Sequence, residues 1–301
     1  MSKIKKRLKL RQSTNWESLS NEDLEKEYNP SSIIGGNYQP YIEQYIARSE
    51  SAKNQLDITE CQYGPKSSNT LNLFMPKSAS QEKPCPLMVF IHGGYWQELS
   101  KNESQFSAIE FVKEDIAFAA IDYTLCPKAT IQEIIDECKL AINWLINNHN
   151  DFNYNPKKIY ISGSSAGAHL TAMCAINNKK MINSEKIAGI VLVSGIYDLE
   201  PIVPTTINKL IGLGTDSAFD ASPLFKDLKN LPDTIITWGE IEPLEFKKQS
   251  INFAEALRAS DTKVEALEIC NRNHFDIILD LGNYNEVLGK KVINMIKGEN
   301  S

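Results

Sequence analysis

Gly163-Ser164-Ser165-Ala166-Gly167 sets a serine hydroxyl among small residues at a point where the chain changes rhythm. Lys157 to Ser162, just before it, is short and β-rich, and Ala166 to Met173, just after it, is small and apolar as suits a helix. G-x-S-x-G between a strand and a helix is a sharp turn that lifts the serine above a sheet, where its oxygen can attack a carbonyl carbon. A serine hydroxyl is a weak nucleophile until a base takes its proton, so Ser165 needs a histidine. The chain has four. His149 sits in a polar helix end, His169 on the helix behind the turn, and His92 directly before two glycines. His274 follows the last apolar strand, at the end of a sheet where reactive groups of open α/β proteins converge. It is the expected base, and it fits the chain order serine, acid, histidine.

The acid that orients the imidazole should stand between them, just past the preceding strand. Ile235 to Gly239 reads as that strand, and Glu240, Glu242 and Glu245 follow it. Glu242 is favoured because it lies far enough round the turn to face a histidine. Glu240 is a candidate for a solvated group and Glu245 for a charge at a helix start, with Asp198 as an outside choice. A tetrahedral intermediate also needs N–H donors aimed at its oxyanion. Ala166, directly after the nucleophile, supplies one. His92-Gly93-Gly94-Tyr95-Trp96 offers Gly93, Gly94 and Tyr95 as the others, with His92 bracing the loop. Tyr95 and Trp96 are candidates for an aromatic wall against a flat substrate, or for ordinary core packing.

The elements that must hold these residues alternate. Stretches 58–63 and 71–75 read as half-buried strands. Stretches 87–91, 116–121, 158–161, 187–193, 234–238 and 264–269 read as buried ones. Helical patterns fall at 103–113, 131–147, 166–177, 246–259 and 284–296. Ser20-Asn21-Glu22-Asp23 has the form of a helix start, Asn29-Pro30 ends that helix, and 38–51 reads as another. Strands alternating with helices predict an α/β class with a mostly parallel sheet covered on both faces and an antiparallel edge at the front. The expected organisation is one domain: a tail and helical segment over 1–55, then a core over 56–301. Within the core, 200–231 is a long connection, read as a lid or as a surface excursion of short helices.

Composition narrows the class. A net charge of −6 argues against a general nucleic-acid binder, although Lys3, Lys5, Lys6, Arg7, Lys9 and Arg11 make a basic tail, read as solvated and mobile. No stretch approaches membrane-spanning length and no secretory signal is legible. Cys61, Cys85, Cys126, Cys138, Cys174 and Cys270 show no metal-ligand or C-x-x-C spacing, and read as free thiols in a reducing, cytoplasmic compartment. Cys138 and Cys174 fall in apolar helical patterns as packing residues. No cofactor is expected, and the oligomeric state is not legible.

These residues together resemble kynurenine formamidase (arylformamidase) of the α/β-hydrolase superfamily. The resemblance lies in His92 to Gln97, Gly163 to Leu170, Ser194 to Leu199, Glu245 to Ser250 and His274 to Ile278, and runs from about Tyr28 to the last helix. It implies the α/β-hydrolase fold and a metal-independent hydrolysis of N-formylkynurenine to kynurenine and formate. Ser165, Glu242 and His274 would be nucleophile, acid and base by match to the motif. Glu242 departs from the aspartate that the family usually carries. A carboxylesterase acting on small acyl esters needs the same groups, and a non-catalytic binding protein on the same fold is the alternative of another class.

Overall fold

The computed structural model describes residues 16–176 and 187–299. Eight strands form one sheet: β1 Ile58–Gln62, β2 Thr70–Phe74, β3 Cys85–Ile91, β4 Ala117–Ile121, β5 Tyr154–Ser164, β6 Ile187–Val193, β7 Asp233–Ile241 and β8 Val264–Asn273. Their spatial order is β1-β2-β4-β3-β5-β6-β7-β8. β2 pairs antiparallel with both β1 and β4, and every pairing from β4 across to β8 is parallel. The antiparallel edge and parallel body are those that the apolar patterning predicts, but burial differs at two strands: β2 is covered almost throughout because it lies between β1 and β4, and β8 is only partly buried because it is the far edge of the sheet. The chain has the α/β-hydrolase fold.

Ten helices punctuate the described residues: α1 Asn21–Glu27, α2 Gln39–Gln55, α3 Ala108–Lys113, α4 Ile131–Asn147, α5 His149–Phe152, α6 Ala166–Ala175, α7 Asn208–Ile211, α8 Thr215–Ala221, α9 Leu244–Arg258 and α10 Val287–Lys297. Ser20 caps α1, its side chain accepting the Asp23 N–H at 3.1 Å. Thr130 and Glu133 close a capping box at α4. Alternate residues of β3 feed opposite sides of the sheet. Leu87, Val89 and Ile91 pack with Ile134 and Ile142 of α4 and Leu170 of α6. Met88 and Phe90 pack with Phe111 of α3 and Val292 of α10. Each such buried side chain stabilises the fold by about 1.5–3 kcal/mol.

Several boundaries differ from the sequence reading. The helix expected over 103–113 begins at Ala108, because Ser104, Gln105 and Ser107 turn inward and Gln105 takes a hydrogen bond from Asn72 at 2.8 Å. Residues 284–286 form the turn and cap before α10 rather than its first turn. The 38–51 helix runs on to Gln55, and β8 continues through Asn273 instead of ending at Ile269. Within 200–231 the chain makes α7, α8 and two short 3-10 turns, and Ile202, Leu213, Phe219, Leu224 and Phe225 are buried in the core. The basic residues 3–11 and Asn177 lie outside the described residues; the helix expected over 166–177 ends at Ala175, where Ile176 turns extended. All six cysteines are free thiols, and Cys138 and Cys174 are buried as packing residues. Among the described residues, no helix is long and apolar enough to cross a membrane.

Candidate active site

Ser165 stands between the end of β5 and the start of α6 with φ 56° and ψ −121°. A non-glycine residue in that region is strained by roughly 1–3 kcal/mol and stays there only if its surroundings hold it. They do so through the Ser165 N–H, which donates to Val193 O at 2.8 Å, and through Ser165 O, which accepts from Ala168 N at 3.0 Å. A Cβ on Gly167 would lie 2.0 Å from Ile91 O, so glycine there is what lets α6 close down on the end of β3. The loop after β3 therefore lies against the turn.

That loop carries Gly93, Gly94 and Tyr95. Gly94 O accepts from both Gln97 N (2.9 Å) and Glu98 N (3.0 Å), and Tyr95 and Trp96 have positive φ, so the chain doubles back at this point. Gly93, Gly94 and Tyr95 line the cavity that Ser165 also faces. Ala166 is the first residue of α6, where a helix leaves its N–H groups without intrahelical acceptors. His92 braces the loop as expected. Its Nδ1 lies 2.9 Å from Gly93 O, and its ring stacks on Tyr123 at 4.1 Å.

Glu242 and His274 meet because β7 and β8 approach closely at their ends. A Cβ on Gly239 would sit 2.4 Å from Arg272 O, and past an irregularity in the ladder Ile241 pairs with Asn273. The next residue of each strand places Glu242 Oε2 3.1 Å from His274 Nδ1. The other carboxylate oxygen, Oε1, accepts from Gly239 N (2.6 Å) and Ser194 Oγ (2.5 Å). Phe246 of α9 packs edge-on against the imidazole at 4.8 Å. Asn273 and Asp276 bind each other across the turn that presents His274.

The rival residues are placed elsewhere. Glu240 is exposed and accepts the Asn271 N–H at 2.8 Å. Glu245 pairs with Lys248 at 2.6 Å. Asp198 accepts the Glu200 N–H at 3.0 Å within its own loop. His149 Nδ1 lies 3.0 Å from Ile146 O at the end of α4. His169 Nε2 lies 2.8 Å from Ala221 O, and burial pushes its pKa down to about 4. Trp96 is fully buried edge-on against His169 and is absent from the cavity lining, so the expectation of a Tyr95–Trp96 wall is corrected to Tyr95 alone. Among the described residues, no three His, Cys, Asp or Glu side chains group as metal ligands.

The cavity holds about 300 Å³, and much of its wall comes from a part of the chain to which sequence reasoning gave no role in the site. Glu25, Asn29, Tyr38, Ile42 and Tyr45 line it, together with Thr206 and Ile207 of the long connection. Glu25 accepts hydrogen bonds from Thr206 N (2.5 Å) and Thr206 Oγ1 (2.8 Å), tying α1 to the long connection. Tyr38 and Tyr41 stack on Phe275, beside His274. Gln249, in the Glu245–Ser250 motif, accepts from Tyr197 N and Asp198 N and donates to Tyr28 Oη, fastening α1 to the sheet. The one signal in the sequence was the spacing of Tyr38, Tyr41 and Tyr45, which puts three rings on one helix face.

A serine held upright, a carboxylate–imidazole pair and a glycine loop around one cavity can together carry out acyl transfer. The comparisons with known proteins agree in kind. The BD-FAE family model matches residues 71–257. Kynurenine formamidase from Danio rerio is 30% identical over 295 residues, covering 94% of this chain and 99% of that protein. The chain belongs to the kynurenine formamidase family. It is an amide or ester hydrolase. Other members of the wider superfamily lie further off. An isoprenylcysteine alpha-carbonyl methylesterase from Arabidopsis thaliana is 28% identical over 242 residues, covering 72% of this chain and 56% of that protein. The carboxylesterase EstE1, cloned from a metagenomic library, superposes with a TM-score of 0.71 at 19% identity, covering 89% of this chain and 99% of that one.

Proposed function

We propose that this family member cleaves an aryl formamide, N-formylkynurenine to kynurenine and formate, through a formyl-enzyme on Ser165. The observation that carries the reading is that His274, which lines the cavity that Ser165 faces, is held from behind by Glu242 at 3.1 Å. His274 takes the Ser165 proton as the oxygen attacks the formyl carbon. The oxyanion is received by N–H groups of Gly93, Gly94 or Tyr95 and of Ala166. His274, now protonated and held by Glu242, gives its proton to the departing arylamine nitrogen as the C–N bond breaks. Water, deprotonated by the same imidazole, then attacks the formyl ester, releasing formate and returning the proton to Ser165. An aniline nitrogen shares its lone pair with its ring, so this amide resists attack less than a peptide. Tyr38, Tyr95 and Phe275 on the lining give that ring aromatic surroundings.

A second reading, cleavage of small acyl esters by the same groups, is favoured by the methylesterase relative. Steady-state hydrolysis of N-formylkynurenine beside p-nitrophenyl acetate, with EDTA present, separates the two. The formamidase reading expects a kcat/KM for the formamide above ~10⁴ M⁻¹s⁻¹. It also expects Ser165→Ala to lose at least ~10³-fold with the fold intact. Brisk ester cleavage with slow formamide turnover selects the esterase, and an active Ser165→Ala variant ends both.

A further inference from the structure

We propose that Ser194 is a positioning residue that holds the Glu242 carboxylate in the plane facing His274. The inference rests on the serine-hydrolase reading above and goes beyond its three catalytic groups. Val193 and Ser194 are consecutive residues at the end of β6, and they touch both ends of the catalytic arrangement. Val193 O receives the Ser165 N–H at 2.8 Å, and Ser194 Oγ donates to Glu242 Oε1 at 2.5 Å. One dipeptide thus ties the nucleophile's backbone to the acid's side chain.

Two features indicate that Ser194 is there for its hydroxyl. Its φ is 51°, a backbone that glycine adopts without strain and serine does not. The residue is fully buried, and its N–H is already used by Thr237 O at 2.8 Å. A serine in such a place brings strain and a polar atom into the interior, and what the hydroxyl gains is the carboxylate. Glu242 needs that contact. Its side chain is wholly buried and has three rotatable bonds, and a single donor from Gly239 N on Oε1 would leave the carboxylate free to turn about that bond. A second donor on the same oxygen fixes the plane and leaves Oε2 aimed at Nδ1.

Ser194→Gly removes the hydroxyl while suiting the backbone, so it keeps the test readable where Ser194→Ala fails to fold. Both are measured alone and with Glu242→Ala, by p-nitrophenyl acetate hydrolysis and by the rate at which a fluorophosphonate labels Ser165. The expected result is a kcat and labelling rate lower by about tenfold or more in Ser194→Gly, with KM within about twofold. In the Glu242→Ala background, the same change is expected to have almost no further effect. An equal loss in both backgrounds, which a merely structural role would give, overturns the proposal. So does a Ser194→Gly enzyme as fast as the wild type while Glu242→Ala is slow. A wild type that the probe does not label at Ser165 overturns the serine-hydrolase reading and this inference with it, so the two failures are told apart.

Discussion

Three glutamates lie within six residues where β7 runs out and α9 begins, and what separates them is what each one's oxygens touch. Glu240 faces outward to a strand N–H, Glu245 is matched by Lys248, and Glu242 has one oxygen on two donors and the other on His274. Glu242→Gln keeps the shape but offers His274 a different partner, and is expected to lower kcat by about 10³–10⁴-fold. Glu240→Gln is expected to leave kcat near the wild type. Steady-state rates of the two variants check this, and the reverse order would move the acid to Glu240. At this scale the sequence was most legible where chemistry demands one residue type in one local setting. The proposed nucleophile Ser165 is singled out by five consecutive residues, and the proposed base His274 by there being four histidines to choose among. The proposed acid was legible only as a choice of carboxylates, because what distinguishes Glu242 is a partner 48 residues away in Ser194 and another 32 away in His274. Contacts at that range leave no local pattern.

The helix behind Ser165 carries its own titration. His169 on α6 is fully buried, and burial holds its pKa at about 4 against an ordinary 6.5. Between those values the unfolded chain binds a proton that the folded one refuses, so stability is full above about pH 6.5 and falls as the pH drops toward 4. The loss amounts to about 3 kcal/mol at its limit. His169→Gln, which keeps a donor for Ala221 O, is expected to flatten the pH dependence of Tm over that window relative to the wild type. Melting curves at pH 4 to 7 check it, and an unchanged slope would assign the acid sensitivity to other groups. Apolar periodicity placed every strand of the sheet but missed where strands and helices end. β8 runs four residues past its apolar stretch because its backbone finds β7 and the Glu240 side chain, with polar Asn271 and Arg272 carried along. The helix expected from Glu103 starts late because a buried Gln105 answers Asn72 across the molecule. In both places a distant partner overrides the local pattern.

Seen whole, the molecule divides its labour along the chain: the sheet ends supply the proposed reacting groups, and the first two helices with the turn between them supply much of the wall around them. The Glu25–Thr206 contact joins residues 181 positions apart and closes that wall. Glu25→Ala is expected to raise KM for N-formylkynurenine several-fold with kcat nearly unchanged, and a changed kcat with constant KM would place Glu25 in the chemistry instead. The sequence showed helices here and, beyond the spacing of Tyr38, Tyr41 and Tyr45, said nothing of what they face, since a surface helix and a cavity wall share one amphipathic pattern. The charges on that wall reach beyond substrate fit. Glu25 and Glu98 line the cavity, and no lysine or arginine does so among the described residues. A small anion released inside meets two negative side chains and no side-chain counter-charge. For the proposed reaction that anion is formate, which has the N–H groups around Ser165 to hold it but no cationic side chain beside them, so added formate is expected to slow steady-state turnover only weakly.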